Sequence, residues 1–82
     1  MKWKKLKKAE ERAKDISNTL LAGDFNGKKV NIVHDDGSKF SFKYAILKKI
    51  GIDNEEFICV FTEHHGVWVW YSEEIKEYNE VG

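Results

Sequence analysis

Apolar residues recur along this chain at two different periods, and the change of period divides it. Leu6, Ala9, Ala13, Ile16 and Leu20 are spaced three and four apart, which is one stripe of an amphipathic helix. Trp3 extends that stripe by a turn, and Gly23 is a natural stop because glycine takes the left-handed conformation that ends helices. The spacing predicts a helix over residues 3–22. Ser17 and Asn18 interrupt it, so its stripe must pack on something.

After Gly23 the period becomes two. KKVNIVH (28–34), KFSFKYAIL (39–47), FICVFT (57–62) and VWVWY (67–71) read as strands. DDGS, GIDNEE and EHHG read as the turns and loop between them. Ser72 is placed to cap a short acidic helix, EEIKEYNE (73–80), whose first glutamates suit a helix N-terminus. The expected fold is α+β: one N-terminal helix packed on a four-stranded antiparallel meander, with a short C-terminal helix. Residues 1–82 are expected to form a single domain.

The apolar pattern also predicts pairing. In the first hairpin, Phe40, Phe42 and Tyr44 share a face and match His34, Ile32 and Val30 around a three-residue loop, Asp36-Gly37-Ser38. Asn31, Val33, Ser41 and Lys43 form the wetter face. In the second hairpin, a tight turn through His64, His65 and Gly66 groups Phe57, Cys59, Phe61, Trp68 and Trp70 on one face. Ile58, Val60, Thr62, Val67, Val69 and Tyr71 fall on the other. Both faces are apolar, and one helix covers only one of them, so the second hairpin owes a face to something else.

That debt is the main functional signal. Trp68 and Trp70 are the expected partner-binding residues, because small Val67 and Val69 suit close helix packing and large aromatics suit binding hot spots. Glu63, His64 and His65 would rim the patch and give its binding some pH sensitivity. The structural alternative is that both tryptophans are core, since a chain of 82 residues buries only about 60–65% of its unfolded surface and needs its largest side chains inside.

Charge refines the picture. The chain carries 14 basic and 14 acidic residues, unevenly placed. Lys2, Lys4, Lys5, Lys7, Lys8, Arg12 and Lys14 crowd the start, and acidic residues dominate after Asp53. Such a molecule can pair its own ends or offer two patches to different partners. Lys4, Lys5, Lys8 and Arg12 are the candidate nucleic-acid contacts of an alternative reading, in which lysines neutralise phosphates and Trp3 stacks.

Catalytic chemistry is poorly represented. In an up-and-down meander, His34, Asp35 and Asp36 would share a rim with Glu63, His64 and His65, but no metal-binding spacing is present and adjacent histidines diverge. Cys59, the only cysteine, sits among large apolar residues where a thiol is inert. There is no phosphate-binding glycine loop. The expectation is a non-enzymatic protein with no metal and no cofactor. A chain without disulfides, secretory leader or apolar span is expected to be cytoplasmic and free of the membrane.

In size, charge content and lack of catalytic signature, the chain resembles small accessory proteins of bacteriophages and mobile elements, anti-CRISPR proteins among them. The resemblance covers the whole length and carries over no particular residue. It implies binding and blocking a larger host protein. The expected partner is therefore a protein, either another copy of this chain, as a dimer, or a host target.

Overall fold

A computed structural model describes residues 2–81. Helix α1 spans Lys2–Ala22, followed by β1 (Lys28–His34), β2 (Lys39–Ile52), β3 (Glu55–Thr62) and β4 (Val67–Tyr71). A single 3-10 turn, Ser72–Glu74, then leads into β5 (Ile75–Val81). The fold is α+β, with one helix on one antiparallel sheet. The sheet has five strands in the order β4-β3-β2-β1-β5.

The expected four strands and C-terminal helix are thus corrected: residues 75–81 form a strand beside β1. Ile75 and Tyr78 are spaced as on a helix, and the glutamates suit a first turn, so the local pattern is helical. The outer edge of β1 decides otherwise. It presents a row of backbone groups that only a strand can pair. All of β5 except Ile75 is exposed, so it needs pairing more than burial. Ser72 does not cap; its hydroxyl donates to Glu56 Oε1 at 3.1 Å.

The strand order dictates the shape. β4 and β5 lie at opposite edges, yet only three residues join them. A flat five-stranded sheet would separate its edges by about 19 Å, more than this link spans at full extension. The sheet therefore curls into a partly open barrel. β2 makes the corner: its first half pairs with β1 and its second half, from Ala45 on, pairs with β3. A bulge marks the bend, because Val30 pairs with Phe42 while Lys28 pairs with Ala45. The β2–β3 connection is a two-residue turn, Asp53-Asn54, with both residues at positive φ.

Two cores result, on the two faces of β3. Inside the curl, Val30, Ile32, Ala45, Ile58 and Val60 are buried, with Phe40, Phe42, Leu47, Trp68, Trp70 and Ile75 packed on them. On the outer face, α1 covers Phe57, Cys59, Phe61 and Tyr71 together with Val67 and Val69. The helix meets the sheet through Ala9, Ala13 and Ser17, all buried, while Leu6, Ile16 and Leu20 are half-buried flanks. Small residues at the centre let the helix axis lie close to the strands. Trp3 is 58% exposed and does not extend the stripe; at 100° per residue it falls on the stripe's margin.

Both predicted pairings shift. The first hairpin turns through Asp35-Asp36-Gly37, with Ile32 opposite Phe40 and Val30 opposite Phe42. That is two positions from expectation, so Phe40 and Phe42 keep their face. Tyr44 leaves it, because the bulge reverses the alternation. In the second hairpin Phe61 pairs with Val67, Val60 with Trp68 and Ile58 with Trp70. The tryptophans therefore share the inner face with Ile58 and Val60, not the face of Phe57 and Phe61. An odd shift exchanges every side chain.

Candidate binding cleft and open edges

The β3–β4 turn is built by Thr62 and Gly66. The Thr62 hydroxyl donates to the Gly66 carbonyl at 2.8 Å and accepts the His65 N–H at 2.8 Å. The Thr62 N–H also donates to Gly66 O, and Gly66 takes the positive φ that closes the loop. Glu63, His64 and His65 are left exposed at the tip, with His64 Nε2 3.4 Å from Glu63 Oε1.

This tip overhangs a cleft of about 400 Å3 lined by Ser41, Phe42, Lys43 and Tyr44 of β2, by residues 62–65, and by Trp68. Its floor is the Phe42–Trp68 pair, edge to face with centroids 5.1 Å apart. Tyr44 is 48% exposed and is held by its hydroxyl, which donates to the Phe25 carbonyl. Four of the five partner-binding residues expected from sequence, Glu63, His64, His65 and Trp68, thus line one cleft. Trp70 does not; it lies one pair further along β4, against Phe40 at 5.4 Å. Both tryptophans are half-buried within the curl, so each contributes to the core.

Sequence reasoning missed the β2 wall of this cleft. Its signal was present: the apolar positions Phe40 and Phe42 change parity before Ala45 and Leu47, which marks the bulge that turns β2 beneath the β3–β4 tip.

Besides β5 at the far edge of the sheet, two stretches of sheet edge near the β3–β4 turn lack a strand partner among the described residues. One is β4, the outermost strand on its side. Because Thr62 and Gly66 are a hydrogen-bonded pair, ladder alternation aims the backbone N–H and C=O of Val67 and Val69 away from β3. Beside them runs a second cleft of about 360 Å3 against the helix, lined by Glu10, Lys14, Ser17, Asn18, Gly66, Val67 and Val69. The other open stretch is the start of β2. β3 ends at Thr62 opposite Ala45, so residues 39–43 have no neighbour on that side. His34 and Ser38 are a hydrogen-bonded pair, and the same alternation aims the main-chain groups of Lys39 and Ser41 into this gap.

The histidine rim is not assembled. β2 runs six residues beyond the end of β3, which carries the His34 turn away from the Glu63–His65 turn. His34 instead joins its own turn to the 3-10 turn. Its Nδ1 lies 2.9 Å from Asp35 and 3.2 Å from Asp36, and its Nε2 lies 3.6 Å from Glu74. The Asp35 N–H donates to Glu74 O at 2.8 Å. Asp36 accepts the Ser38 N–H at 2.8 Å, and that bond is the main reason its carboxyl lies below the usual range. Among the described residues no group of three or more histidine, cysteine or acidic side chains is placed to hold a metal.

Lys4, Lys8 and Arg12 of the basic patch are exposed and Lys5 is half-buried. Helical spacing puts all four on one flank of α1, away from β4. Lys8 is engaged there by Asp53 at 3.1 Å. Lys4 lies 5.8 Å from the Trp3 ring centroid. Cys59 is fully buried, and that burial pushes its thiol up to about 12. No described helix is long and apolar enough to cross a membrane. No family model, no curated protein and no solved structure matches the chain.

Proposed function

We propose that this protein is a non-enzymatic protein-binding module that associates by adding a strand to the open edge of β4. The observation that carries the reading is the character of that edge. Open edges are normally blunted by charge, proline, a bulge or a covering element. Val67-Trp68-Val69-Trp70-Tyr71 carries no charge, proline or bulge, and α1 packs beside it at Val67 and Val69 while leaving a cleft along the edge. Strand addition uses main-chain hydrogen bonds for affinity and flanking pockets for selectivity.

The favoured strand donor is β5 of a second copy. β5 is the opposite open edge and carries Glu77 and Glu80 with Lys76, while the cleft beside β4 offers Lys14 alongside Glu10. Two different edges meet in such a contact, so it runs head to tail. An inhibitory role against a host protein, as the resemblance to phage accessory proteins implies, would use the same edge. The nucleic-acid reading has less support, because Lys8 of the basic flank is already held by Asp53.

Sedimentation across a range of concentrations tests this. The wild type is expected to be heavier than a monomer. Val69→Pro removes an outward N–H without breaking the β3–β4 ladder. It should lower the unfolding midpoint, because Val69 also packs under α1, and shift the population toward monomer while the fold is retained by circular dichroism. Lys14→Glu should weaken association too, and more so at low salt. A wild type that sediments as a monomer at millimolar concentration would sink the proposed self-association.

A further inference from the structure

We infer that the cleft between β2 and the β3–β4 turn is a docking site for an extended acidic peptide segment carrying a large apolar side chain. Three observations fix that chemistry. First, the main-chain groups of Lys39 and Ser41 face a gap that no strand fills, and a donor and acceptor in this setting are matched by an extended backbone. The open stretch, residues 39–43, accommodates a segment of about five residues at strand spacing. Second, Phe42, Trp68 and Tyr44 offer an aromatic wall where one large apolar side chain of the segment would pack.

Third, Lys43 lines the cleft opposite a single carboxylate, Glu63, and Lys39 stands on the open stretch just outside the lining. Lys39 and Lys43 flank Ser41, and neither forms an ion pair with any described residue. The only carboxylate lining the cleft, Glu63, lies beside His64 instead. The Ser41 hydroxyl donates to Asn31 Oδ1 at 3.0 Å, and the Asn31 amide donates to Asn79 Oδ1 at 3.3 Å. The polar side chains next to the lysines are thus satisfied, and the two ammonium groups are left to recognise acidic side chains on the segment.

This site uses β2 and is separate from strand addition at β4, so either can fail alone. The test is a titration of isotope-labelled protein, wild type and Val69→Pro, with an acetylated, amidated hexapeptide of alternating phenylalanine and glutamate. The counterpart with lysine for glutamate and a single-stranded oligothymidylate are run in parallel. The acidic peptide is expected to shift the amides of Ser41 and Lys43 and the indole N–H of Trp68 in both proteins. Lys43→Gln should weaken it about tenfold, the loss of one charge-assisted contact. Ser41→Pro, which removes an N–H aimed into the gap, should do the same while leaving the fold intact by circular dichroism.

The inference is overturned by any of four results. The lysine peptide could bind as tightly as the acidic one. The oligothymidylate could produce the cleft shifts that the acidic peptide does not. The shifts could map to Val67, Val69 and α1 instead. Or the Ser41, Lys43 and Trp68 signals could stay unmoved at millimolar acidic peptide.

Discussion

The β1–β2 and β3–β4 hairpins obey the same alternation and carry different information. In β1–β2 the pattern is one-sided: Ile32, Phe40 and Phe42 point into the curl, while Asn31, Ser41 and Lys39 face out. A register error there is free to move by two residues but not by one, since one would bury the asparagine–serine ladder. In β3–β4 every position from Phe57 to Thr62 is buried, one face under the helix and the other inside the barrel. Alternation is then silent about register, and the turn decides it. Thr62 and Gly66, joined by side chain and main chain, fix the pairing that sends Trp68 and Trp70 inward.

The sharpest way to break this comparison is to truncate both faces of β3. Phe57→Ala and Phe61→Ala on the helix side should cost about 3–5 kcal/mol, and Ile58→Ala inside the curl about 2–5 kcal/mol. Asn31→Ala on the outer face of β1 should cost about 1 kcal/mol or less. Denaturant titration checks all four. A loss below about 1 kcal/mol at either face of β3 would mean that this face is not core.

A smaller effect sharpens the role of the turn. Thr62→Val keeps the shape and removes the hydroxyl that holds both Gly66 O and His65 N–H. It should cost about 1–3 kcal/mol, with the largest amide shifts at β4. In the first hairpin the side chain that holds the turn sits in the loop itself: Asp36, whose carboxylate accepts the Ser38 N–H. Its carboxyl is depressed in the folded chain, so it stabilises the fold above the ordinary carboxylate range. That stability fades as pH falls through the lowered value. Asp36→Asn should flatten this part of the acid limb, the smallest of the three effects because the group is fully exposed.

The helix, β1, β3, β4 and the first part of β2 were legible because each carries its own period. The end of β2 was not, since GIDNEE (51–56) reads as a loop and only Asp53-Asn54 is a turn. β5 was not: its acidic residues and the Ile75–Tyr78 spacing favour a helix, and only the unpaired edge of β1, more than forty residues away in sequence, makes it a strand. The same limit applied to the cleft. Glu63, His64, His65 and Trp68 could be named from the hairpin alone, but Phe42, Lys43 and Tyr44 join them through the bend of β2, which is a property of the closed sheet. The predicted face of Trp68 was right in placing it opposite Val67 and Val69, with the helix on the valines. It was wrong in grouping it with Phe57 and Phe61, because that depended on a turn of different length.

Cys59 lies at the middle of β3, under the helix and fully enclosed. It is also the only thiol in the chain. A thiol reagent cannot reach it while the helix stays docked, so the labelling rate counts how often the molecule opens. When opening is fast and reversible, that rate reports the free energy of undocking α1. When the reagent outpaces reclosure, it reports the opening rate itself. The sheet thus carries at its centre a native clock for its own breathing, readable by mass without adding a probe.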